Sequence, residues 1–136
     1  MAVIADGIRA ESNGAVSFGN YMITEKLKVP DFELNGDIYK VKTHCLITRL
    51  EKNGKLLIES VPGAAFHNAT VDESAVSFSA EGTGDTQITL ELEPSREYML
   101  TVGGTGMGSM KSNLSGKVSF SAELTSEPRD IRIERV

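Results

Sequence analysis

Two histidines, one cysteine and nineteen carboxylates are the side chains from which this 136-residue chain could build chemistry. His44 and Cys45 are adjacent, and with His67 they make the only conceivable soft metal set. Neighbours on one strand point to opposite faces, so His44 and Cys45 cannot share an ion unless a bulge intervenes. Neither Cys-x-x-Cys nor His-x-x-x-His spacing occurs. A nucleophilic serine would need a base beside it, and no Gly-x-Ser-x-Gly elbow is present to present one to His67. Glycoside hydrolysis needs two facing carboxylates. Asp31, Glu33 and Asp37 cluster at the Asn35-Gly36 turn, and Glu91 and Glu93 share one outward strand face. Outward carboxylates on strands ordinarily solvate the sheet and discourage edge pairing. The run Gly103 to Ser112 is glycine-rich but lacks the Gly-x-x-x-x-Gly-Lys-Ser/Thr spacing, and it lies between two strand patterns instead of leading into a helix. It predicts a hairpin. These readings assign no catalytic residue, no metal and no cofactor, and the chain reads as a non-enzyme. The expected ligand surface is Lys40, Lys42 and His44, a basic row on one strand face of a chain with net charge -5.

The elements that must position these residues are strands. Residues 75–81 (AVSFSAE) and 117–123 (KVSFSAE) are near-copies, and Ala15 to Gly19 is a shorter echo. In both copies Val, Phe and Ala alternate with Ser, Ser and Glu, a period of two that buries one face of a strand. The same rhythm runs through Ile88, Leu90 and Leu92, through Tyr98, Leu100 and Val102, through Ile131 and Ile133, and from Tyr39 to Ile47. Leu46-Ile47 and residues 56–58 are apolar at both parities, which predicts segments covered on both sides. Asn-Gly pairs at 13–14, 35–36 and 53–54 favour the positive φ values of tight hairpins. No segment keeps a helical period; residues 93–97 could make one 3₁₀ turn. The prediction is one all-β domain over residues 1–136. It is a two-sheet antiparallel sandwich with immunoglobulin-like or Greek-key connections and about eight or nine strands; a closed barrel is the alternative. Residues 1–12 are expected to be loose until something pairs with them.

Composition narrows the partners. Hydrophobic residues make up 40% of the chain and charged residues 24%, enough for a core without disulfides or metal. An acidic balance argues against nucleic-acid binding, which needs Lys and Arg to neutralise phosphates. No apolar run approaches the length of a membrane span. With one cysteine and no signal-peptide core at its start, the chain is expected in the cytoplasm. A protein partner or self-association is expected, with carbohydrate as a further ligand class.

The stretch from Tyr98 to Phe120 (YMLTVGGTGMGSMKSNLSGKVSF) resembles the C-terminal hairpin of bacterial immunoglobulin-like β-modules, some of which are appended to polysaccharide-degrading enzymes. More broadly, residues 19–63 (GNYMITEKLKVPDFELNGDIYKVKTHCLITRLEKNGKLLIESVPG), GDTQITLELEPSREYMLTVGG and KSNLSGKVSFSAEL are similar to short all-β bacterial proteins commonly labelled endosialidase. That likeness spans about Ser17 to Ile133 and rests on turns and hydrophobic positions. It implies a glycan-binding or glycan-active protein as the alternative function. It carries no catalytic residue across. Sialidases share Ser-x-Asp-x-Gly-x-x-Trp boxes, and this chain has no Trp. Arg49, Arg96 and Arg129 are not gathered into a triad by any pattern.

Overall fold

The computed structural model describes residues 3–136 and contains thirteen strands and no helix among them. The strands are β1 (Ile8–Ala10), β2 (Val16–Phe18), β3 (Leu27–Leu34), β4 (Asp37–Thr43), β5 (Thr48–Lys52), β6 (Lys55–Val61) and β7 (Ala65–Val71). They continue with β8 (Ala75–Glu81), β9 (Asp85–Glu91), β10 (Glu97–Val102), β11 (Thr105–Lys111), β12 (Lys117–Glu123) and β13 (Arg129–Arg135). Seven form sheet A in the order β1-β2-β7-β8-β13-β10-β11; six form sheet B in the order β12-β9-β6-β5-β4-β3. All pairings are antiparallel and both sheets end in free edges, so the fold is an open sandwich and not a barrel.

The period-two rhythm does what it predicts. Val76, Phe78 and Ala80 of β8, Ile131 and Ile133 of β13, Leu100 and Val102 of β10, and Ile88 and Leu90 of β9 all face the interior. Phe66 is the centre of that layer. Its ring stacks on Phe18 with centroids 4.9 Å apart and meets the edge of Phe78 at 5.2 Å. Such pairs add roughly 1 kcal/mol each to the burial of the rings themselves. The hairpins follow from the Asn-Gly pairs. Asn35-Gly36 and Asn53-Gly54 both have positive φ at both positions, the geometry that continues the right-handed twist of the strands. The Asn53 side chain locks its turn to the neighbouring strand β4, accepting from the Ile38 amide at 2.9 Å and donating to Asp37 at 2.9 Å.

Several expectations are corrected. There are thirteen strands, not eight or nine, because β1 and β2 are too short to show a period and β11 is masked by its glycines. The strand beginning at Asp37 stops at Thr43, where the His44 amide donates to the Ile47 carbonyl and turns the chain. Leu46 is consequently 66% exposed instead of covered on both sides. Leu56, Leu57 and Ile58 are buried as expected, because a register shift after Leu50 lets Leu57 join the inner face. Residues 93–96 make a turn with Ser95 at positive φ, not a 3₁₀ helix, and Glu97 already opens β10. Residues 1 and 2 lie outside the described residues, but from Ile4 onward the N-terminal segment is paired: Ile4 donates to Gly19, Gly19 donates to Gly7, and the Ile4 and Ile8 side chains are buried.

Buried hydroxyls tie this segment to both sheets. The Asn20 amide donates to Thr43 Oγ1 at 2.9 Å, Thr43 and Thr48 share a 2.7 Å bond, and Thr48 Oγ1 donates to the Ala64 carbonyl at 2.9 Å. Thr48 has spent its hydrogen on Ala64, so Thr43 must be the donor between the two threonines.

Candidate functional site: the outer face of sheet A

The inner face of strands β8, β13 and β10 is apolar, so their alternate residues must stand on the outer face. Register then decides which of these meet. His67, Ser79 and Asp130 form one cross-strand row; Thr70, Ser77, Arg132 and Thr101 form the next. Ser79 donates to Asp130 at 2.5 Å, and Arg132 Nη1 donates to Ser77 at 2.8 Å while Nη2 pairs with Glu134 at 3.2 Å. Over this array lies an open cleft of about 390 Å³, lined by His67, Ser77, Ser79, Thr101, Asp130 and Arg132 among others.

One end of the face is roofed. Glu81 ends β8 on the same outward parity as Ser77 and Ser79, yet is only 1% exposed, because the segment around Tyr21 crosses above it. Its diagonal neighbour across the strand pair is His67, whose Nε2 lies 2.6 Å from Oε1. The Tyr21 hydroxyl donates to Oε2 at 2.8 Å. Burial and this acceptor together push the Tyr21 phenol up to about 12. An unfolded tyrosine titrates near 10. The neutral phenol therefore stabilises the fold fully below pH 10, and that contribution is lost as pH rises through about 12. In a tyrosinate absorbance titration, Tyr21→Phe is expected to remove the last-titrating component and flatten the fall in stability above pH 10. An unchanged titration would show that Tyr21 ionises freely. A second small network adjoins. Ser17 donates to Glu11 at 2.5 Å and accepts from the Asn68 amide at 3.0 Å. The Ser17 bond, aided by Arg9, holds the Glu11 carboxyl below its usual range.

The chain matches no family model, no curated protein and no solved structure.

The residues expected to form the ligand surface are only partly assembled. Lys40 is exposed and Lys42 half-buried on the outer face of sheet B. Lys28 and Arg49 flank Lys42, while Glu51 faces Lys40. His44 does not join them: it lies beyond the end of β4, is 5% exposed, and sets Nδ1 3.3 Å from the Thr24 carbonyl. Cys45 is half-buried in the same turn. Among the described residues no three His, Cys, Asp or Glu side chains converge as metal ligands. The sequence reasoning missed Glu81, Tyr21, Asp130 and Arg132. Parity along β8 and β13 was available as a signal that Ser77, Ser79, Glu81 and Arg132 share an outward face. The pairing of β8 with β13, fifty residues apart in the chain, was not.

Proposed function

We propose that this chain is a non-enzymatic β-sandwich interaction module whose ligand lies across the outer face of sheet A. The observation that carries this reading is the polar array under the cleft, in which Ser77, Ser79, Asp130, Arg132 and His67 are each held by a neighbour. The pairing itself favours binding over catalysis. A serine nucleophile donates its hydrogen to an imidazole. Here Ser79 donates to a carboxylate, Ser77 accepts from a guanidinium, and the Nε2 of His67 is committed to a buried acid.

Carbohydrate is the favoured ligand class. Arg132, Asp130, Thr101 and the two serines alternate donors and acceptors within two rows, which matches the hydroxyls and carboxylates of a sugar chain and not a run of phosphates. The resemblance to proteins labelled endosialidase points the same way. Calorimetric titration with oligosialic acid and with a neutral glucan oligomer tests this. Binding of at least one sugar is expected, with no free monosaccharide released. Arg132→Ala is expected to weaken binding about tenfold, the usual worth of a hydrogen bond to a charged group. Release of sialic acid, or binding that Arg132→Ala leaves unchanged, would overturn the reading.

A further inference from the structure

The second copy of the repeated heptapeptide is β12, and it is an edge strand. A free edge exposes unpaired backbone groups and is ordinarily blunted. The other three edges are. Strand β3 carries Pro30 and a register shift, β1 is three residues long, and β11 has Gly108 at positive φ beside a register shift. Strand β12 has none of these. It runs in unbroken register with β9 from Lys117 opposite Glu91 to Glu123 opposite Asp85, with no Pro or Gly and its only charges at its two ends.

The hydrogen-bond phase of this edge is fixed. At its two ends the Leu92 amide donates to Gly116 and the Leu124 amide donates to Gly84. Even-numbered residues of β12 therefore bond to β9, and odd-numbered residues point their N–H and C=O outward. One of those four is fully occupied and a second half so. Lys117 is bonded through both groups to Asn113, and the Glu123 carbonyl accepts from Arg129 at 3.0 Å. Ser119 and Ser121 remain, at the middle of the strand.

We propose that β12 pairs with β12 of a second copy of this chain, antiparallel and two-fold about Phe120. In that register Ser119 faces Ser121 of the second copy and Ser121 faces Ser119, so the outward backbone groups of both strands meet in phase. Phe120, half-buried at the rim of the core, sits against its own symmetry mate in a close, non-bonded pair. Lys117 faces Glu123 of the second copy at both ends, and neither side chain has an ion-pair partner within the chain among the described residues. A slip of one residue loses the bonding phase, and a slip of two loses both charge pairs. The same seven residues read in opposite directions are thus complementary in charge, size and hydrogen bonding. This surface is separate from the outer face of sheet A, so either proposal stands without the other.

Sedimentation equilibrium over a wide concentration range tests the proposal. The mass is expected to climb from 14.7 kDa toward twice that value as concentration rises. Ser119→Pro removes an outward N–H and leaves the bonds to β9 intact, so it is expected to abolish the rise while keeping the thermal transition. Glu123→Lys is expected to weaken the dimer about tenfold by opposing two lysines twice. The double variant Lys117→Glu with Glu123→Lys is expected to restore it, which a merely unfolded variant cannot do. A mass fixed at 14.7 kDa at every concentration would overturn the proposal. So would a dimer indifferent to Ser119→Pro, or a failure of the charge swap to rescue Glu123→Lys.

Discussion

Replacing Glu81 with alanine is expected to cost about 3 kcal/mol, the penalty for removing one partner from a buried polar network. The carboxylate is 1% exposed and holds two groups at once, the Tyr21 hydroxyl and His67 Nε2. Without it, the Tyr21 hydroxyl is left buried and unpaired, and a void opens between the segment around Tyr21 and β8. For a domain of this size the thermal midpoint should fall by roughly 10 °C. Glu81→Gln should cost about half as much, because an amide oxygen still accepts from Tyr21 while the paired bond to His67 is weakened. The internal control is Glu123, which occupies the same place in the second heptapeptide but is exposed. Glu123→Ala, measured at dilute protein, should stay within about 0.5 kcal/mol of wild type. Equal losses at the two glutamates would mean that the roof over Glu81 does not exist.

The second large effect is expected at Gly19. Its φ is +104°, and a Cβ added there would overlap the Ala64 carbonyl oxygen, a backbone atom with no freedom to retreat. That oxygen is the acceptor for Thr48 and therefore the last link in the hydroxyl chain from Asn20 through Thr43. Gly19→Ala must either displace Ala64 and break that chain or unseat the N-terminal segment. A loss of about 4 kcal/mol or outright failure to fold is expected. Gly36 is the comparison. Its φ is +83° but nothing lies within 4 Å of its added Cβ, so Gly36→Ala should cost only about 1 kcal/mol of left-handed strain. Chemical denaturation of the two variants separates steric overlap from backbone conformation. Similar midpoints for both would show that Gly19 is tolerant and that its contact with Ala64 does not matter.

Much of the sandwich is legible in the residues because a strand's side-chain period is two and its hairpin turns have their own chemistry. Val76, Phe78 and Ala80 announce a buried face, and Asn53-Gly54 announces the turn that joins β5 to β6. The rest depends on pairing between distant segments, which no local pattern encodes. The two heptapeptides make the point. In β8 the strand is flanked on both sides, and Glu81 is driven under Tyr21; in β12 six of the same seven letters lie at an edge, and Glu123 stays in solvent. The basic row lost its histidine for a related reason. Alternation alone carries the pattern from Tyr39 through to Ile47, but a turn from His44 to Ile47 ends the strand and buries the histidine. The polar face of sheet A was half visible, since parity put Ser77, Ser79 and Arg132 outward. Only the register of β13 between β8 and β10 brings them within bonding distance.

The most direct test of the ligand face is an amide chemical-shift map of the labelled protein titrated with oligosialic acid and a neutral glucan oligomer. The account predicts that the largest shifts cluster at Ser77, Ser79, Thr101, Asp130 and Arg132. Shifts confined to Lys28, Lys40 and Lys42 on sheet B, or none with either sugar, would contradict it.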